Sequence, residues 1–108
     1  PEVAHVGMSE AEAREVYDGV QVFKTPCGSV DRFITESATR GFLKVVMDED
    51  DNVLGADGVG AHAGEWIQLI TLAMKNELSI SAIAETIFAY PTFSEIGKKV
   101  FTRFLRTK

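Results

Sequence analysis

"GFLKVVMDEDDNVLGADGVG", residues 41–60, decides the fold of this chain. Two runs rich in β-branched and apolar residues, 42–47 and 53–59, flank the acidic stretch Asp48-Glu49-Asp50-Asp51-Asn52. β-Branched side chains suit a pleated, half-buried surface, whereas clustered Asp and Asn favour turns. The stretch therefore predicts an antiparallel hairpin. Four acids in one turn raise the question of calcium. The D-x-D-x-D-G spacing and the distant glutamate of an EF-hand loop are missing, so a solvated turn is expected.

Upstream, "PEVAHVGMSEAEAREVY" begins with a short apolar segment, Val3 to Val6. Ser9 then stands three residues before Glu12, the spacing of a capping box, and a helix over about 9–17 follows. "GVQVFKTP" alternates apolar Val20 and Val22 with polar Gln21 and Lys24 and predicts a strand ending at Pro26. "DRFITES", 31–37, is a weaker strand candidate. Downstream the period changes. From Ala63, the positions Trp66, Ile67, Ile70, Ala73 and Met74 recur at helical steps. Asn76 and Ser79 suggest a stop and a restart, and Ile80, Ile83, Ala84 and Ile87 carry a second helix that Pro91 ends. Thr92 and Glu95 repeat the capping-box spacing. The last helix carries Phe93, Ile96, Val100, Phe101, Phe104 and Leu105 on one broad stripe, with Arg103, Arg106 and Lys108 at its negative end. Strands with a hairpin, followed by helices, predict an α+β domain with helices on a mainly antiparallel sheet. The apolar faces of the last two helical segments exceed what a small core needs, which points to a buried seam and a dimer.

The chain has 108 residues, enough for one domain over 1–108 with a core that needs neither disulfide nor metal. It opens at Pro1 rather than methionine, so a processed form or a piece of a longer protein is expected. A net charge of −5 argues against nucleic acid as a partner, and no apolar run approaches the ~20 residues that span a bilayer. The single cysteine, Cys27, cannot form an internal disulfide or a C-x-x-C pair and is read as a small, half-buried strand residue. His5 and His62 lack ligand spacing and are read as local packing or hydrogen-bonding residues, so no metal is expected. Gly58, Gly60 and Gly64 give G-x-G-x-x-x-G, one residue too long for a dinucleotide fingerprint, so a tight turn with close backbone packing is expected instead.

Three stretches carry a resemblance: "PEVAHVGMSEAEARE", "GFLKVVMDEDDNVLGADGVGAHAGEWIQ" and "YPTFSEIGKKV". In this order and with these separations they resemble the C-terminal dimerisation domain of the pyridine nucleotide-disulfide oxidoreductases, which include dihydrolipoamide dehydrogenase, glutathione reductase and mercuric reductase. The resemblance covers nearly the whole chain, least well over about 25–37. It implies a longer parent flavoprotein, with FAD-binding and NAD(P)-binding domains preceding this one. It also implies a homodimer in which each copy completes the other subunit's active site, a cytoplasmic location and a part in cell redox homeostasis. The piece alone is expected to bind neither cofactor and to be catalytically silent.

Disulfide-reducing members of that family read H-P-T-x-x-E where this chain reads Tyr90-Pro91-Thr92-Phe93-Ser94-Glu95. The resemblance thus implies a catalytic pair at Tyr90 and Glu95, with Tyr90 in place of the proton-carrying histidine, and a Pro91 backbone near the partner's flavin. It also raises the expectation of a cis bond before Pro91. A histidine titrates near ~6.5 and a tyrosine near ~10, so Tyr90 is expected to donate a hydrogen bond rather than shuttle protons. Soluble pyridine nucleotide transhydrogenases are similar in having an aromatic at this point. Two plainer roles stand beside these: Glu95 as the capping partner of Thr92, and Tyr90 as a ring packed at a seam. The alternative to an enzyme part is a free-standing α+β dimeric binding or regulatory module.

Overall fold

The hairpin forms the centre of a sheet in the computed structural model, which describes residues 1–107. Among the described residues, β1 (Glu2–Gly7), β2 (Gln21–Pro26), β3 (Phe42–Met47) and β4 (Val53–Gly60) form one antiparallel sheet in the order β1-β4-β3-β2. The turn between β3 and β4 caps itself. The Asp48 carboxylate accepts the N–H groups of Asp50 and Asn52, both at 2.9 Å, and the Asn52 amide at 3.0 Å. Gln21 of β2 donates to the Asp48 carbonyl (2.9 Å) and the Asp51 carboxylate (2.8 Å), tying the turn to the sheet. These acids serve the turn, and no group of three metal-capable side chains occurs among the described residues.

Strand alternation separates two faces. Leu43, Val45 and Met47 of β3 and Ala56 of β4 enter the main core with Trp66, Ile70, Ile96, Val100 and Phe101. The other face bears a polar row in register, His5–Asp57–Lys44–Lys24. There α1 (Glu10–Val16) sets Glu10 against Lys44 at 2.9 Å. Ser9 and Glu12 make both bonds of the expected capping box, at 3.1 and 2.9 Å. His5 donates from Nδ1 to Asp57 (2.6 Å) and from Nε2 to the Gly7 carbonyl (2.7 Å). Donation by both nitrogens requires the imidazolium, and these bonds raise its pKa.

Helices α3 (Ala63–Trp66), α4 (Gln68–Lys75), α5 (Ile80–Glu85) and α6 (Glu95–Arg106) supply most of the rest of the core, joined by Cys27, Val30 and Phe33. Trp66 lies fully buried against β4, where a Cβ on Gly58 would come within 2.8 Å of its ring. The close packing expected of the glycine-rich segment is therefore present. Gly58 and Gly60, however, lie in strand β4, and the chain turns after them, at His62, which has φ of 60°. Fully burying an aromatic side chain of this kind contributes roughly 1.5–3 kcal/mol. Among the described residues, no helix is long and apolar enough to cross a membrane.

Four local expectations need correction. First, "DRFITES" is not a strand: α2 (Asp31–Thr35) forms there, after a 3-10 turn at Cys27–Ser29. The helical turn buries Phe33 and leaves Ile34 exposed, so packing overrides the β-propensity of Ile34 and Thr35. Cys27 lies in that 3-10 turn, not in a strand, and is fully buried. Burial pushes its thiol up to about 11, which keeps it from acting as a nucleophile.

Second, α5 ends at Glu85, well before Pro91. Thr86 turns extended, its hydroxyl donates to the Ala82 carbonyl (2.7 Å), and Lys98 donates to the Thr86 carbonyl (2.7 Å). Ile87 is left 93% exposed. Third, α6 starts two residues later than its sequence suggests, with Ser94 rather than Thr92 at the N-cap and Phe93 ahead of the helix. Fourth, the apolar stripe of α6 is no spare surface. Ile96, Val100, Phe101 and Phe104 are all buried in this chain's own core, and the exposed apolar residues lie elsewhere, Ile87 among them. Arg103 and Arg106 occupy the last turn of α6 as expected, whereas Lys108 lies outside the described residues.

Candidate functional site

Between α5 and α6 the chain makes a corner over 86–94 without regular secondary structure. The Tyr90–Pro91 peptide bond is cis, as the resemblance led us to expect. Tyr90 is 69% exposed at the tip. The Thr92 hydroxyl donates to the Ala89 carbonyl (2.8 Å), closing the corner on itself. The Thr92 N–H donates to the Glu95 carboxylate (2.8 Å). Only this half of the expected capping box forms, because the Thr92 hydroxyl is engaged at Ala89 and Ser94 takes the cap position.

Helix α2 grips the corner from the side. The Tyr90 hydroxyl donates to Asp31 Oδ2 at 2.7 Å. Arg32 donates from Nη1 to the Pro91 carbonyl (3.2 Å) and sets its guanidinium 4.7 Å from the Phe93 ring centre. Phe93 meets Phe33 edge-on at 4.8 Å, and Phe33 meets Trp66 edge-on at 6.0 Å. His62 also packs against this group, 5.0 Å from the Phe93 ring centre. An aromatic chain thus joins the exposed corner to the sheet core.

A cleft of about 280 Å³ opens beside Tyr90, lined also by Asp31, Glu95, Lys98, Lys99 and Arg103. Lys99 reaches the Ser29 carbonyl (2.8 Å), and Arg103 donates to the buried Thr25 hydroxyl (2.6 Å). The Asp31 hydrogen bond, then the Asp31 charge, burial and the Glu95 charge hold the Tyr90 phenol above its ordinary pKa. Tyr90 therefore stays protonated at neutral pH and can act as a hydrogen-bond donor or a packed ring, not as a base.

Tyr90, Pro91 and Glu95 are thus brought together on one corner, but Tyr90 and Glu95 do not pair: each hydroxyl or carboxylate has another partner. Sequence reasoning missed Asp31 and Arg32. Both contacts span 59 positions, and the segment around them read as a strand, so no local pattern marked them.

The family model described as "Pyridine nucleotide-disulphide oxidoreductase, dimerisation domain" matches residues 1–101. Dihydrolipoyl dehydrogenase of Chlamydia muridarum is 38% identical over 97 residues, covering 89% of this chain and 21% of that protein. The enzyme of the same name from Zymomonas mobilis is 42% identical over 96 residues, covering 88% and 21%. Among solved structures, the HOCl-induced flavoprotein disulfide reductase RclA from Escherichia coli superposes with a TM-score of 0.86 at 31% identity, covering 93% of this chain and 23% of that one. The chain therefore spans about a fifth of the length of the curated relatives it matches. The antiparallel sheet with flanking helices, the three ordered motifs and the match over 1–101 agree: this chain belongs to the pyridine nucleotide-disulphide oxidoreductase dimerisation-domain family.

Proposed function

We propose that this chain is the homodimerisation domain of a longer FAD- and NAD(P)-dependent oxidoreductase and that its Tyr90 corner completes the active site of the partner subunit. Family membership supports the class of protein. The observation that carries the site is the corner itself: an exposed tyrosine held by α2 and standing next to Glu95. Exposed residues held this firmly suit a surface that meets another molecule in a fixed geometry.

The cleft beside Tyr90 is too small to enclose a flavin or a dinucleotide. Its volume is about 280 Å³, at or below the ~300 Å³ lower end of pockets that enclose drug-sized ligands. FAD and NAD(P) would be held by the preceding domains, and this domain would offer only an edge. On that edge Tyr90 would meet a substrate with its hydroxyl oxygen, donating a hydrogen bond only where the substrate displaces Asp31, and Pro91 would lie near the partner's flavin. Glu95 would hold the backbone of the corner through Thr92. Proton shuttling of the histidine kind is not expected, because Asp31 holds the phenol in its neutral form.

The test begins with the protein isolated from its source. Its denatured mass and visible absorption spectrum are recorded. A chain several times longer with a flavin spectrum supports the reading. A colourless chain of this length overturns it and leaves a free-standing dimeric module. In a flavin-containing parent, Tyr90→Phe should lower the turnover rate tenfold or more, whereas an unchanged rate would reduce Tyr90 to packing.

A further inference from the structure

The family pattern puts a glutamate five residues after the site residue, yet here Glu95 is spent on the Thr92 backbone. The side chain on the Tyr90 hydroxyl comes from a different element. Asp31, in the first turn of α2, accepts that hydroxyl at 2.7 Å. Its neighbour Arg32 binds the Pro91 carbonyl and lies over the Phe93 ring. Two consecutive residues of one short helix therefore hold three parts of the corner: the phenol, the proline carbonyl and the Phe93 ring.

The arrangement is directional. A phenol in water rotates its O–H freely and exchanges partners. A charged acceptor at 2.7 Å selects one orientation and is stronger than a neutral one. Donating to Asp31, the Tyr90 oxygen keeps its lone pairs free and turns them away from Asp31. An incoming group would then meet an acceptor, or would have to displace Asp31 to receive the proton. We propose that Asp31, and not Glu95, is the positioning residue for Tyr90, setting the direction of its hydroxyl in the assembled site. This rests on the reading of Tyr90 as a site residue given above.

The test uses the full-length parent protein with 3-fluorotyrosine placed at position 90, titrated by ¹⁹F NMR. The charged groups that face Tyr90 are Asp31 from α2 and Glu95, Lys98, Lys99, Arg103 and Arg106 from α6. Asp31→Asn, which keeps an acceptor oxygen but removes the charge, should shift the titration to lower pH. Glu95→Gln should shift it less. A larger shift in Glu95→Gln would overturn the proposal, because Glu95 would then be the partner.

Kinetics with NADH and with lipoamide or benzoquinone as acceptor complete the test. Asp31→Ala should lower kcat by a factor similar to Tyr90→Phe with little change in KM, and Asp31→Asn should recover part of the loss. In a Tyr90→Phe background, Asp31→Ala should cost less than twofold more. A full loss in Tyr90→Phe beside an unaffected Asp31→Ala overturns the positioning role and leaves the site reading intact. Unchanged rates in Tyr90→Phe overturn the site reading itself, while the fluorine titration still reports which carboxylate holds the hydroxyl.

Discussion

The β3–β4 hairpin and the Tyr90 corner are built in opposite ways. In the hairpin, most contacts are local: β-branched runs pair across a turn that Asp48 caps with its own side chain, and Gln21 adds two bonds from β2. In the corner, almost nothing is local except the Thr92 bonds to Ala89 and Glu95. Asp31, Arg32 and Phe33, from a helix some sixty positions away in sequence, supply the rest. The hairpin would tolerate changes in distant helices; the corner would not. A site on this corner is therefore only as rigid as α2.

Phe33 links the two regions, since its ring touches both Trp66 and Phe93. Phe33→Ala should give the largest effect, a loss of about 3–5 kcal/mol in urea unfolding. It should also loosen the corner, seen as faster amide exchange at Ala89, Tyr90, Thr92 and Phe93. If exchange at the corner stayed at wild-type rates, the aromatic chain would not be what supports it. Gly58→Ala tests the sheet side alone. Its methyl group would meet the Trp66 ring at 2.8 Å, so a destabilisation of roughly 1–3 kcal/mol is expected with exchange at Tyr90 unchanged.

Arg32→Ala tests the corner alone. It removes one exposed hydrogen bond to the Pro91 carbonyl, a cation–π contact and an exposed ion pair with Glu36, together about 1 kcal/mol. Corner exchange should rise while hairpin exchange does not, and equal increases in both would break the contrast. The smallest effect belongs to the polar face of the sheet. The Asp57 bond and the Gly7 carbonyl raise the pKa of His5 above its ordinary value of 6.5. The stability this pair adds is fully present below the unfolded-state value and is lost as pH rises through the higher folded-state value. Because the pair is exposed, solvent screening keeps its contribution within ~0–1 kcal/mol. The melting temperature of His5→Gln should therefore fall below wild type at pH 5.5 and approach it at pH 9.

Much of the framework was legible in sequence because it is local. The capping box at Ser9 and Glu12 needs only adjacent residues and formed as read. The hairpin, the strand ending at Pro26 and the restart at Ser79, whose hydroxyl accepts the Ala82 N–H at 3.1 Å, did so as well. The errors fall where a side-chain contact, buried or exposed, outweighs the backbone preference read from the pattern. Phe33 draws "DRFIT" into a helix against its β-branched residues, and Lys98 with the Thr86 hydroxyl ends α5 early.

The fold class and the family motifs are legible in the chain alone, and the resemblance those motifs carry points to Tyr90, Pro91 and Glu95 as a candidate site. Periodicity and caps act over a few residues and motif order runs along the chain, so a single sequence displays them directly. Only the tertiary structure decided that Tyr90 answers to Asp31 while Glu95 holds Thr92. It also decided that the stripe on α6 faces this chain's own core. Hydrogen bonds and packing of that kind depend on distances in space, and residues 31 and 90 become neighbours only once the sheet and the helices have closed around Phe33.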